Sequence, residues 1–332
     1  MSAHRRPHRI AVITALLTVL LSALLMPSWA LATYPASTGL IAFSADAGSG
    51  AQIWTIRPNG RDLRQITHVD GDAAAPDWSP DGRWIAFDVG RVLPGDIEEV
   101  TVQVMRPDGS DVRVLTPAGT CCSGDPSFTP DGRRIVYEHY DPATNDDAIW
   151  MMNVDGTNPH RLVGPPTGAT DPNVSPDGQT LTFRGWDGLE GENGALFRTA
   201  IDGTGVTQVT PFDHVSIKHD WAPDGGLLLY TDGADTGLPD ESTNIVTIRP
   251  NGTGLHHLTS YAGGHFGVFA GSYSPDGRWI VLRFEDHVAG TFALYRMRPD
   301  GSHLQEIAFL GELKPRLTDW GGRPGGNAED DE

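Results

Sequence analysis

The chain is 332 residues long, with 43 acidic against 24 basic residues and a formal net charge of −19. A surface this acidic repels phosphate backbones, which excludes nucleic acid as a partner and leaves cations, basic proteins and uncharged sugars. No HExxH, GxSxG, Walker loop or paired CxxC motif is present, so motif content names no reaction.

The first 32 residues read as a secretory signal peptide. "MSAHRRPHR" is a basic leader, "IAVITALLTVLLSALLM" is an uncharged apolar run, and Ala30-Leu31-Ala32 is a small-x-small cleavage site. The alternative is an uncleaved anchor, because the apolar run is nearly long enough to span a bilayer. No cysteine stands at the cleavage site, so a lipid anchor is not expected. Cleavage after Ala32 predicts a secreted or otherwise extracytoplasmic protein with no membrane span left in the mature chain.

Beyond Ala32 the chain repeats itself. "DWSPDGRWIAF" at 77–87 returns as "SFTPDGRRIVY", "NVSPDGQTLTF", "DWAPDGGLLLY" and "SYSPDGRWIVL". A second phrase ends in Gly60, Gly109, Gly156, Gly203, Gly252 and Gly301, at spacings of 49, 47, 47, 49 and 49. A fixed period in this range marks a repeat array or a propeller. Within residues 77–120, "DWS" is a short strand and "SPDG" is a turn: Pro80 presets φ, Asp81 suits the next position, and Gly82 supplies the left-handed residue. "RWIAFDV" is a second strand whose continuous apolar run fits burial on both faces. "EVTVQVM" alternates with period two, "RPDG" turns it, and "VRVLT" is a fourth strand.

Four antiparallel strands in about 48 residues, repeated radially, predict a propeller blade, and the count is six. The chain enters at "GLIAF" (39–43), a second strand with no first strand before it, and leaves at "RLTDWGG" (316–322), which matches the missing strand. The C-terminal strand is therefore expected to complete the N-terminal blade and close the ring. The fold class predicted is all-β: a six-bladed propeller of four-stranded antiparallel blades over 33–322, followed by an acidic, glycine-rich, disordered tail at 323–332.

The phrase L-T-x(n)-P-x-W-S-P-D-G-r-x-I-A-F resembles the repeat of the TolB C-terminal propeller and its tricorn-type and prolyl-oligopeptidase-type relatives. The resemblance covers residues 38 to 322. It implies the fold and says little about function. TolB carries an α/β domain ahead of its propeller and the peptidases carry a hydrolase domain. Ala32 to Gly39 leaves no room for the first and "GRPGGNAEDDE" none for the second, so a lone propeller without the TolB N-terminal domain is expected.

The turns lie at one end of every blade and serve to close hairpins. At the other end the loops vary, from "THVDGDAAAP" to "TSYAGGHFGVFAGS", and variable loops on a rigid frame are where binding residues gather. Counting back from the Trp position of each first strand places Asp77, Ser127, Asn173, Asp220, Ser272 and Asp319 around the axis, one step before it. Three steps before it come Ala75, Asp125, Asp171, Lys218, Ala270 and Leu317. Short oxygen-bearing side chains around a channel could coordinate Ca²⁺, with Asp77, Asp220 and Asp319 as ligands, or could simply bond the neighbouring blade. Asp125, Asp171, Lys218, His219 and His265 are the candidate residues of a ligand-binding face.

Six histidines on the loop face also permit a transition-metal site, with His219 and His265 as its first candidates, and some propeller-type polysaccharide lyases, whose repeats are similar to these, use a metal held by histidines in this position. The adjacent Cys121 and Cys122 could form a strained vicinal ring, link two chains or stay free, since neighbouring Cα atoms lie closer than most disulfides allow. The function these features favour is an exported, non-catalytic, monomeric propeller. It requires no cofactor and binds a protein or a cell-envelope glycan through its loop-rich face. The alternative is a metal-assisted polysaccharide lyase or hydrolase acting at the channel mouth.

Overall fold

The Pro-Asp-Gly phrases close hairpins as their chemistry requires. In the first, Gly82 N–H donates to Ser79 O at 2.8 Å, the Ser79 hydroxyl donates to Asp81 Oδ1 at 2.7 Å, and Trp84 N–H returns to Ser79 Oγ at 2.9 Å. The same glycine-to-serine bond recurs at Gly178 and Gly277 and, with Thr129 or Ala222 as acceptor, at Gly132 and Gly225. The computed structural model describes residues 38–322 apart from 49, 96, 118–121, 165–167, 187–193, 213–214, 216–217 and 234–241. The expected signal peptide and acidic tail lie outside the described residues.

Among the described residues, twenty-four strands form six antiparallel four-stranded sheets. Blade one contains β1 (Thr38–Asp46), β2 (Ala51–Ile56) and β3 (Arg64–Gln65). Blade two is β4 (Asp72–Trp78), β5 (Ile85–Leu93), β6 (Ile97–Met105) and β7 (Arg113–Val114). Blade three is β8 (Ser123–Phe128), β9 (Arg134–Asp141), β10 (Asp146–Asn153) and β11 (His160–Val163). Blade four is β12 (Ala169–Val174), β13 (Thr180–Trp186), β14 (Gly194–Ala200) and β15 (Thr207–Gln208). Blade five is β16 (His219–Trp221), β17 (Leu228–Asp232), β18 (Asn244–Ile248) and β19 (His256–His257). Blade six is β20 (Phe266–Tyr273), β21 (Ile280–Asp286), β22 (Thr291–Met297) and β23 (Gln305–Gly311). The last strand, β24 (Lys314–Gly322), pairs with β1 and completes blade one, with Trp320 opposite Ile41 and Asp319 opposite Ala42.

Each first strand touches the first strand of the next blade, from β24 through β4, β8, β12, β16 and β20 back to β24, so the ring is closed. The core lies between blades rather than within them. Ala42, Ile53 and Ile66 of blade one pack on Ala73, Trp78, Ile85 and Phe87 of blade two, and each of the other five joints has a cluster of its own. A fully buried side chain such as Phe87 contributes about 2–3 kcal/mol by this burial. Several fourth strands are two residues long, which leaves little free edge for another chain to pair with. No helix occurs among the described residues, and none is long and apolar enough to cross a membrane.

The 47–49-residue glycine series does more than turn the chain. A Cβ on Gly60 would lie 2.1 Å from Ile307 O of blade six, and one on Gly109 would lie 2.2 Å from Ile66 O of blade one. Gly156, Gly203, Gly252 and Gly301 meet Leu115, Leu162, Val209 and Leu258 carbonyls in the same way. Each turn is thus wedged against the fourth strand of the preceding blade, where only glycine fits.

Candidate functional site

The axial side chains are aimed by a bulge in the first strand of most blades. Register slips fall between Ala74 and Asp77, Gly124 and Ser127, Thr170 and Asn173, and Ala270 and Tyr273. Ala75, Asp125 and Asp171 sit in these slips with left-handed φ values of 46°, 45° and 50°, each followed by proline, and Lys218 (φ 38°) holds the same place ahead of β16. The residues one and three steps before the Trp position line a channel in two tiers. A cavity of about 80 Å³ opens on the turn side, lined by Asp77, Asp220 and Asp319 beneath Trp78, Trp221 and Trp320. A smaller one of about 20 Å³ opens on the loop side, lined by Ala75, Asp125, Asp171, Lys218 and Leu317.

The inner tier holds neighbouring blades together. Asp319 Oδ2 accepts from Trp78 N–H, Asp77 Oδ2 from Phe128 N–H, Asp220 Oδ2 from Tyr273 N–H and Ser272 Oγ from Trp320 N–H, all at 2.8 Å. Asn173 Nδ2 donates to His219 O at 3.2 Å. Blades three and four are joined one tier outward, where the Thr170 hydroxyl meets Asp125 Oδ2 at 3.1 Å and Glu138 Oε2. Asp125 N–H in turn donates to Asp88 Oδ2 of blade two at 3.0 Å.

Gathering carboxyl groups in a narrow channel resists their ionisation. Burial, and then the Asp319 charge, push Asp77 well above its ordinary value and Asp220 up to about 7, although part of each carboxylate still faces the channel. Burial and Asp125 push Asp88 up to about 7 and raise Glu138 well above the usual range. Burial and Asp171 raise Asp125, and burial and Asp125 take Asp147 up to about 6. Asp171 moves the other way. Burial alone would raise it, but the His219 hydrogen bond and the His219 and Lys218 charges outweigh that and hold it low.

The predicted residues fall into three groups. Asp77, Asp220 and Asp319 meet around the axis together with Lys218. Asp125 and Asp171 sit one tier outward, and Asp171 reaches His219. His219 has no exposed surface: Nδ1 lies 3.1 Å from Asp171 Oδ2 and Nε2 2.8 Å from Thr182 Oγ1. His265 is exposed and sets its ring edge-on to Phe266, with centroids 6.3 Å apart. Cys121 lies outside the described residues, and Cys122 is disulfide-bonded. Among the described residues, no three His, Cys, Asp or Glu side chains are grouped so as to hold a metal ion. The inner-tier carboxylates each direct an oxygen at a backbone N–H of the next blade, a poor fit to a calcium cage.

Glu138, Asp88, Thr170 and Thr182 belong to this network and were not among the predicted residues. Glu138 and Asp88 did leave a signal, as acidic residues inside otherwise apolar second strands.

Six four-stranded blades closed by a C-terminal strand around a polar axial channel define a six-bladed β-propeller, and its fold is similar to that of TolB. Two TolB structures share the fold. The putative TolB of Agrobacterium tumefaciens has a TM-score of 0.63 and 17% identity over 85% of this chain and 92% of that one. TolB of Acinetobacter baumannii has a TM-score of 0.65 and 17% identity over 96% and 74%. A chain of a nidogen–laminin complex matches at a TM-score of 0.61 with 12% identity, over 85% of this chain and 97% of that one.

No family model matches the sequence. An uncharacterized protein of Agrobacterium fabrum is 32% identical over 130 residues, 36% of this chain and 42% of its own length. The Tol-Pal system protein TolB of Nitratidesulfovibrio vulgaris is 36% identical over 95 residues, 27% of this chain and 19% of that protein. YuxL, an uncharacterized peptidase of Bacillus subtilis, is 27% identical over 195 residues, 48% of this chain and 29% of that protein. The chain thus spans less than half the length of each of these three relatives.

Proposed function

We propose that the chain is an exported, non-catalytic binding propeller that recognises a protein through its loop-rich face. The observation that carries this reading is the contrast between the two ends of the ring. On one, every described turn is the same hydrogen-bonded hairpin. On the other, the loops differ from blade to blade in length and chemistry, and variable loops on a rigid frame are where binding residues gather. The channel carboxylates and His219 are occupied in joining blades, which supports a rigid scaffold rather than a catalytic centre. The likeness to TolB propellers, and to a chain crystallised within a protein–protein complex, supports protein as the partner class. Export rests on the basic leader, apolar run and Ala-Leu-Ala site, and the protein acts as a monomer.

The test is site-specific photo-crosslinking in an envelope extract, with the probe at Val92 or Val288 on the loop side and at Asp108 or Asn251 on the turn side. Adducts to one protein from the loop-side positions alone are expected. Adducts from the turn side would reverse the assignment, and retention on a glycan column without any protein adduct would make the partner an envelope polymer. A metal-assisted lyase or hydrolase is the second reading, kept by the match to a peptidase. Turnover of a polysaccharide or peptide that is abolished by chelation would establish it.

A further inference from the structure

Trp84 and Trp279 end the same phrase, Asp-Gly-Arg-Trp, in blades two and six, and each carries two arginines over its indole. In blade two, the guanidinium carbons of Arg106 and Arg113 lie 3.9 and 4.6 Å from the centre of the Trp84 ring. In blade six, those of Arg298 and Arg296 lie 4.0 and 4.4 Å from the centre of Trp279. The adjoining turns also match. Arg106 N–H donates to Ser110 O and Arg298 N–H to Ser302 O, both at 2.8 Å. The next residues, Asp111 and exposed His303, have left-handed φ values of 54° and 56°.

The two platforms differ in charge. Asp111 Oδ2 lies 2.7 Å from Arg113 Nη2 and 3.6 Å from Arg106 Nε, so one carboxylate serves both cations of blade two. Blade one pairs Asp62 with Arg57 at the same place. In blade six that place holds His303. Arg296 Nε donates to Gln305 Oε1 and Arg298 Nη1 to Arg278 O, both at 3.2 Å, and among the described residues no carboxylate pairs with either. The neighbouring acids are engaged elsewhere, Asp276 with Arg278 at 3.8 Å and Asp300 with Ser302 N–H at 2.9 Å. Burial, and then the Arg298 charge, weaken the hold of Arg296 on its proton. A guanidinium keeps that proton nonetheless, so two like charges share one indole unbalanced, in a chain of 43 acidic residues. Paired guanidiniums present the N–H fork that an oxyanion accepts bidentately. A dianion offsets both charges, whereas a chloride offsets one. The net charge of −19 repels an extended polyanion, which favours a single phosphate group.

We propose that Arg296 and Arg298, on the Trp279 platform at the turn end of blade six, bind a phosphate group, free or as the monoester of a small molecule, in the place that Asp111 fills in blade two. The site lies at the opposite end of the ring from the loop-rich face, and it does not depend on the proposed binding function.

The experiment titrates inorganic phosphate at constant ionic strength into the wild-type chain, H303D, R296Q and D111H, by calorimetry and thermal unfolding. Wild type is expected to bind one phosphate with a Kd on the order of 10⁻³ M. Phosphate at roughly ten times that Kd should raise Tm by about 2 °C. H303D supplies the blade-two carboxylate and should weaken binding by about tenfold or more, as should R296Q. D111H makes the converse change: it frees Arg106 and Arg113 and should add a second phosphate per chain. Glycerol 3-phosphate distinguishes the sources, since affinity equal to that of phosphate supports a monoester ligand and binding of inorganic phosphate alone supports the free ion. No saturable binding by wild type up to about 20 mM phosphate would overturn the proposal, as would H303D binding as tightly as wild type. If H303D does not fold, the R296Q and D111H titrations decide the question, and unchanged affinity and stoichiometry in both would overturn it.

Discussion

His219 Nδ1 lies 3.1 Å from Asp171 Oδ2, a contact that ties the first strand of blade five to that of blade four. The far side of the same ring lies 2.8 Å from Thr182 Oγ1, which also accepts from Trp221 Nε1–H at 2.9 Å. Thr182 is therefore the node of this joint. Thr182→Val keeps the shape and removes the hydroxyl, leaving two buried polar groups without their partner. A loss of about 2–4 kcal/mol in denaturant unfolding is expected, with the bound-metal content of the protein unchanged.

The corresponding tryptophans elsewhere lack this acceptor. Trp320 packs against Val281 at the joint of blades six and one, and its buried indole N–H has no hydrogen-bond partner among the described residues. Val281→Thr offers a hydroxyl at the position equivalent to Thr182. It should raise stability by up to about 1 kcal/mol, and an unfolding midpoint below that of the wild type would refute the equivalence.

The carboxyl network sets the sign of the pH dependence. Asp77, Asp220, Asp88, Asp125, Glu138 and Asp147 hold protons in the folded state that the unfolded chain gives up near its ordinary values. The contribution of Asp220, Asp88 and Asp147, carried up to about 7, 7 and 6, is complete below about pH 4 and is lost as pH rises through about 6 to 7, and Asp77, Asp125 and Glu138 act in the same sense. Asp171 acts in the opposite sense: its contribution is present above the ordinary aspartate range and is lost only as pH falls through its lowered value. Tm should therefore fall between pH 5 and pH 8, and Asp220→Asn should flatten part of that slope. Scanning calorimetry across this range decides it, and a rising profile would contradict the assignment.

The fold was legible because its information is local. Pro-Asp-Gly turns fix each hairpin within a few residues, and a period of 47–49 fixes their count. Even the ring closure could be read, since "GLIAF" lacks the strand that "RLTDWGG" supplies. The axial positions were equally readable, but their partners were not. Asp77 bonds a backbone N–H 51 residues away and Lys218 a carbonyl 100 residues away, and a repeat spacing does not say whether an aspartate faces an ion or the next blade. His219 read as a residue of the ligand-binding face, yet it opens β16 and is fully buried. Its environment depends on Asp171 and Thr182 of the preceding blade, which no local pattern connects to it.

Glycine substitutions separate turn conformation from blade contact. Gly178 has φ 70° and no neighbouring atom within 4 Å of where a Cβ would stand, so Gly178→Ala costs only the left-handed conformation, about 1 kcal/mol. Gly109 has φ 85° and would bring its Cβ to 2.2 Å from Ile66 O, a backbone atom of the neighbouring blade. Gly109→Ala must move one blade against the other and should cost at least about 2–3 kcal/mol. Equal unfolding midpoints for the two variants would rule out the wedge.

The cysteine pair supplies the last test. Cys122 is disulfide-bonded, holds a left-handed backbone with φ 74°, and its carbonyl accepts from Tyr140 N–H at 2.9 Å, which ties the segment to the end of β9. The chain offers Cys121 as the other cysteine, so a ring between adjacent residues is the expected form. The intact mass of the purified protein should then lie two hydrogens below that of the reduced chain, and non-reducing electrophoresis should give a single monomer band. A bond between adjacent residues closes almost no chain, so its entropic effect on the unfolded state is small. Reduction should consequently shift stability by less than about 1 kcal/mol. A disulfide-linked dimer band, or a large loss of Tm on reduction, would instead assign the pair to holding two chains together.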